Sequence, residues 1–146
     1  MKQFFACIAI LGFGLSFSSA SRADDPVQSG DPTYEVLVFW ASWCGACGTV
    51  LKDMGELQAR GAMTGATVKA VNLGDASHAA EALKRKGGHA LQLVAEGQPL
   101  ADQFHVKQVP WVIVVDSAGR PVFEPSRSAP PKYVAQHVQM DLALRL

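Results

Sequence analysis

The chain has 146 residues, 49% of them hydrophobic and 18% charged, with 13 basic and 13 acidic side chains. That supplies enough apolar material for one packed domain and excludes a disordered chain. The balanced charge offers no basic field to recruit nucleic acid, so no nucleic-acid partner is expected.

Lys2 is followed by an apolar run from Phe4 to Phe17 and then by small residues from Ser18 to Ala23. This is the pattern of a secretory signal peptide over residues 1–23. The alternative is an uncleaved membrane anchor, for which the run is short, since a spanning helix wants about 20 apolar residues. Cleavage after Ala23 removes Lys2, Arg22 and Cys7, leaving a slight negative charge and two cysteines, Cys44 and Cys47. An exported chain with one closely spaced pair suggests a working redox couple, because a small domain stapled by structural disulfides would carry more. Residues 24–33 hold two prolines, a glycine and three aspartates, a leader with nothing to bury. The folded domain is expected over residues 34–146.

Tyr34 to Trp40 is almost wholly apolar or β-branched and suits a central strand covered on both faces. The helix after Cys44 carries Val50, Leu51, Met54 and Leu57 as an apolar stripe and should end near Arg60-Gly61, with Gly48 and Gly55 weakening it. Ala66 to Leu73 predicts a second strand, and Asp75-Ala76-Ser77 caps a helix running to about Lys86. Lys84-Arg85-Lys86 reads as a solvated helix end favoured by the helix dipole. Gly87-Gly88 breaks that helix, and Ala90 to Ala95, a Glu96-Gly97 turn and a short helix near Pro99 to Phe104 follow. His105, following Phe104 in a short helix, reads as a surface residue. Trp111 to Val115 is the next core strand, Asp116 to Gly119 is hairpin turn chemistry, and Arg120 to Phe123 returns antiparallel. Pro125 to Pro131 is a loop, and a last helix over about Lys132 to Leu144 places Val134, Val138 and Leu142 on one stripe. Strand, helix, strand, helix followed by a hairpin defines an α/β fold.

The chemistry lies in Phe39-Trp40-Ala41-Ser42-Trp43-Cys44-Gly45-Ala46-Cys47. Two thiols at i and i+3 at the start of a helix share a face and close a small disulfide ring without dragging the backbone. Unpaired N–H groups and the positive end of the helix favour thiolate at Cys44, the candidate nucleophile. Cys47, a turn deeper, is the candidate resolving thiol. A structural disulfide closing so short a loop removes little chain entropy. Zinc would need two further ligands, and His78, His89, His105 and His137 are scattered without paired spacing. No metal or other cofactor is expected.

Val36 to Cys47, ending in Phe-Trp-Ala-Ser-Trp-Cys-Gly-Ala-Cys, resembles the thioredoxin superfamily, and most of all, over Val36 to Cys44, its extracytoplasmic TlpA- and ResA-type reductases. The resemblance implies a thioredoxin-like fold, a central mixed β-sheet flanked by helices, with an inserted strand and short helix before the next core strand. It implies that Val109-Pro110 is a cis bond facing the disulfide, with the backbone of Val109 open to pair with an extended substrate segment. It also implies that Trp43 presents a flat apolar surface to that substrate, whereas Trp40 belongs to the core. Trp111 replaces the threonine common after this proline. Thioredoxin's buried proton-accepting aspartate is replaced by Val38. Its partner lysine matches Ala70, one residue away from Lys69, so the usual proton relay is missing.

The expected protein is an exported, periplasmic or otherwise extracytoplasmic, monomeric thiol–disulfide oxidoreductase that reduces disulfides in exported proteins. By the resemblance, electrons would come from a membrane dithiol donor. The competing readings are a thiol oxidase that installs disulfides, a Cu(I)-handling protein of the same scaffold, against which the two-residue spacer argues, and a redox-dependent binding module without turnover.

Overall fold

A computed structural model describes residues 33–146. The signal peptide expected over residues 1–23, and all but the last residue of the leader, lie outside the described residues. Among the described residues no helix is long and apolar enough to cross a membrane.

The chain builds β1 (Tyr34–Trp40), α1 (Cys47–Ala59), β2 (Ala66–Asn72), α2 (Ala79–Arg85), β3 (Gln92–Val94), α3 (Gln98–Gln103), β4 (Trp111–Asp116), β5 (Pro121–Phe123) and α4 (Pro131–Arg145). The strands form one mixed sheet in the order β3-β2-β1-β4-β5. β2 runs parallel to β1 and β3 parallel to β2, while β4 is antiparallel to both β1 and β5. β1 is central because Val36 to Trp40 are all buried, so the strand must be covered on both faces.

Alternation divides the sheet. Val36, Val38, Val68, Ala70, Val112 and Val114 pack into one cluster with the inner residues of α1, α2 and α4. Leu37, Phe39, Val71, Ile113 and Val115 pack into a second cluster with Ala101 of α3. The helical stripes follow the sequence pattern: Val50, Leu51, Met54 and Leu57 of α1 and Val134, Val138 and Leu142 of α4 are buried. Each fully buried aliphatic side chain of this kind contributes about 1.5–3 kcal/mol relative to exposure.

Several boundaries differ from the sequence reading, each for a local reason. The helix expected from Asp75 opens as a 3-10 turn over Ala76–His78 before α2 begins. Asp75 accepts from Ser77 N–H at 2.9 Å and Ser77 Oγ at 2.7 Å. The Ser77 hydroxyl, then its N–H, then His78 hold the Asp75 carboxyl down to about 2. The loop before α4 contains a 3-10 turn, Pro125–Arg127, in which Ser126 Oγ accepts from Val112 N–H at 2.9 Å and so ties the loop to β4. The two weak points of α1 have different causes. A Cβ on Gly48 would meet nothing within 4 Å, whereas one on Gly55 would lie 2.8 Å from the Gly87 carbonyl oxygen. Gly55 therefore marks a close backbone approach between α1 and the turn that ends α2.

Candidate active site

β1 ends at Trp40, and two tight turns follow. Cys44 N–H donates to the Ala41 carbonyl at 3.1 Å, and Gly48 N–H donates to the Gly45 carbonyl at 3.3 Å. Cys44 stands where the two turns meet, and Cys47 is the first residue of α1. The sequence pattern placed both cysteines on the first helical turn; instead the helix begins three residues later. Ala46 provides no side-chain cap, so nothing in the side chains extends the helix back to Cys44. The nucleophile candidate thus precedes the helix N-terminus, within reach of its partial positive charge.

Cys44 and Cys47 are joined in a disulfide with Cα atoms 5.4 Å apart. Cys47 is wholly buried, Cys44 is 6% exposed, and the neighbouring Trp43 is 74% exposed. The Trp43 ring therefore stands largely in water next to the disulfide. Trp40 is fully buried, and its indole N–H has no acceptor among the described residues.

The Val109–Pro110 bond is cis. Val109 packs against the cluster that contains both cysteines, and with Gln108, Pro110, Ser126, Ala129 and Pro131 it lines a groove running toward α4. Trp111 points to the other face of the sheet, packed against the second cluster with the Arg127 guanidinium 5.9 Å from its ring centroid. His105 is exposed and adopts a positive φ of 54°.

Beneath the cysteines the protein is apolar. Val38 and Ala70 are both fully buried in their cluster, and they pair directly across β1 and β2. Lys69 lies on the opposite face, where its Nζ meets Glu35 Oε1 at 2.6 Å. The one-residue offset from Ala70 moves this charge across the sheet. Among the described residues no group of three or more His, Cys, Asp or Glu side chains is arranged to hold a metal ion.

Two residues of the site were not singled out by sequence reasoning. Asn72, at the end of β2, is 1% exposed. Its Nδ2 donates to the carbonyls of Gly74, Asp75 and Ala95, and its Oδ1 accepts from Gly74 N–H. It thereby fixes the β2–α2 loop, whose Gly74 lies against Ser42 of the redox loop. Lys86 corrects the reading of Lys84-Arg85-Lys86 as a solvated helix end. Lys84 and Arg85 are exposed, but Lys86 is half-buried and its Nζ donates to the Cys44 carbonyl at 2.8 Å. A lysine before Gly-Gly was the available signal, and only the fold shows that the following turn carries it to the redox loop.

The fold and the cysteine pair define a thioredoxin-like thiol–disulfide oxidoreductase. The chain belongs to the AhpC/TSA family, whose model matches residues 25–120. Among curated proteins no sequence relative matches. Among solved structures, a candidate thiol:disulfide interchange protein DsbE from Chlorobium tepidum is 26% identical, with a TM-score of 0.54 over 74% of this chain and 81% of that one. A secreted disulfide oxidoreductase of Mycobacterium tuberculosis, homologous to Escherichia coli DsbE, is 15% identical, with a TM-score of 0.56 over 75% and 83%. A thioredoxin-related protein from Neisseria meningitidis serogroup B is 13% identical, with a TM-score of 0.59 over 83% and 93%. At such identities the latter two likenesses carry the fold alone.

Proposed function

We propose that this protein is exported and reduces disulfides in other exported proteins through Cys44 and Cys47. The observation that carries the reading is the asymmetry of the pair: Cys44 lies at the rim beside exposed Trp43, and Cys47 is wholly buried behind it. In the reduced protein the Cys44 thiolate attacks one sulfur of a substrate disulfide, forming a mixed disulfide and releasing the other substrate sulfur as a thiol after it takes up a proton. Cys47 then loses its proton and attacks Cys44 Sγ, releasing the second substrate thiol and leaving the Cys44–Cys47 disulfide. Two electrons pass to the substrate, and a membrane dithiol donor returns them. Trp43 and the backbone of Val109, beside Pro110, hold the extended substrate segment.

Export is supported by the sequence of residues 1–23. The reductase direction is supported by the resemblance of the Phe-Trp-Ala-Ser-Trp-Cys motif and by the absence of histidine between the cysteines. A Cys47→Ser variant incubated with a peptide disulfide tests the roles. The expected product is a stable adduct on Cys44, with insulin reduction lost. Adduct formation that persists after Cys44→Ser substitution overturns the assignment.

A further inference from the structure

The redox loop is nearly without charge. Residues 36–48, from β1 through the first residues of α1, contain no titratable side chain except the two cysteines, and residues 108–111 around the cis bond contain none. From the β2–α2 side, Asn72, Leu73 and Gly74 are also uncharged, and Asp75 is engaged with Ser77 and His78. On α1 the nearest charges are Lys52, paired with Glu56, and Asp53, which faces the α4 side beside Arg60 and Lys132. Against this background, among the described residues, one ammonium donates to the loop: Lys86 Nζ, 2.8 Å from the carbonyl of the nucleophile candidate itself.

The placement is built rather than incidental. Lys86 ends α2, its N–H donating to the Ala82 and Leu83 carbonyls, and Gly87 turns the chain with a φ of +81°. That turn is pressed against α1. A Cβ on Gly87 would lie 3.1 Å from Lys52 Cβ, and one on Gly55 would lie 2.8 Å from the Gly87 carbonyl oxygen. With the backbone fixed on both sides, the Lys86 stem has a short path to Cys44. Among the described residues no carboxylate lies within salt-bridge distance of Lys86, so its charge is not spent on another partner.

We propose that Lys86 is the positioning residue of the redox loop, holding Cys44 by its carbonyl and favouring the ionised form of its thiol. The proposal rests on the reading of Cys44 as nucleophile. Reduction of the Cys44–Cys47 bond by a donor dithiol breaks the S–S bond and transfers two electrons. Where Cys44 is left as thiolate and Cys47 as thiol, the pair takes up one proton while the donor becomes a disulfide. A cation beside Cys44 stabilises that product and not the disulfide, so it draws the equilibrium toward the dithiol.

The test uses the full chain with Lys86→Gln, which keeps a donor for the carbonyl but not the charge, and Lys86→Arg, which keeps both. Thiolate absorbance is followed against pH, and the disulfide is equilibrated with a dithiol redox buffer. Lys86→Gln should raise the Cys44 pKa by about one unit. At a pH above both values it should shift the equilibrium about tenfold toward disulfide, about 30 mV more reducing. Lys86→Arg should titrate like the parent. Thermal midpoints confirm that both variants fold, and a purely structural lysine would change the midpoint without moving the titration. A Lys86→Gln protein whose Cys44 titrates like the parent, or a Lys86→Arg protein that titrates like Lys86→Gln, overturns the proposal. If the adduct with peptide disulfide forms elsewhere than on Cys44, the functional reading fails while this titration still reports on Lys86.

Discussion

The two faces of the sheet are built to opposite rules. On the face that carries the disulfide, Val38 and Ala70 under the cysteines are fully buried and apolar. On the other face, one residue along in β2, Lys69 meets Glu35 in a half-exposed ion pair. The contrast shows that the chain keeps charge out of the layer beneath its redox pair. Under the proposed mechanism, the proton that Cys47 loses has no buried carboxylate to go to among the described residues.

The strongest way to break this contrast is to restore a carboxyl beneath the cysteines. Val38→Asp places it at a fully buried site with apolar pairing partners, and it should destabilise the fold by about 3 kcal/mol in urea unfolding. The same denaturation on Lys69→Met should cost less than about 1 kcal/mol, because the far-face pair is partly solvated. A Val38→Asp protein as stable as the parent would mean that the layer is not dry.

The seam between α1 and α2 sharpens the comparison at a smaller scale. Gly55→Ala forces a Cβ to within 2.8 Å of the Gly87 carbonyl oxygen and should cost about 1–3 kcal/mol. Gly48→Ala, with open space around it, should stabilise by up to about 1 kcal/mol. Equal effects from the two alanines would remove the close approach from the account.

Burial also sets the chemistry of the inner thiol. In the reduced protein Cys47, wholly buried with no charge below it, should keep its proton well above neutral pH. Ionisation near neutrality in a thiol titration would contradict an apolar layer. The smallest expected effect lies at the start of α2. Asp75 has its folded value lowered from 3.8 to about 2, so its cap is fully effective above about pH 4 and is lost as the pH falls toward 2. The difference in thermal midpoint between the parent and Asp75→Ala should shrink over that window, and a difference constant with pH would exclude the cap.

How much of this was legible in the sequence follows from how local each feature is. The strand, the turn and the two cysteines lie in one contiguous stretch, so hydrophobic run and thiol spacing were enough to read them. The replacement of thioredoxin's aspartate and lysine by Val38 and Ala70 was legible only through the resemblance, and the register of β1 and β2 is what puts the two on one face. The start of α1 was not, since the absence of a capping side chain before Cys47 left three residues open to either turn or helix. Lys86 was out of reach because its partner lies 42 residues away, and a helix-end lysine looks the same in sequence whether it faces water or a carbonyl. Asn72 was hidden for a similar reason: its four hydrogen bonds go to backbone groups, which leave no mark in the side-chain pattern.

The equilibrium reduction potential of the Cys44–Cys47 pair tests the central claim most directly. A protein kept reduced to donate electrons should have a value near that of thioredoxin, about −270 mV. A value near about −120 mV, where a pair acts as a strong oxidant, would mean that this protein installs disulfides and would contradict the reductase reading.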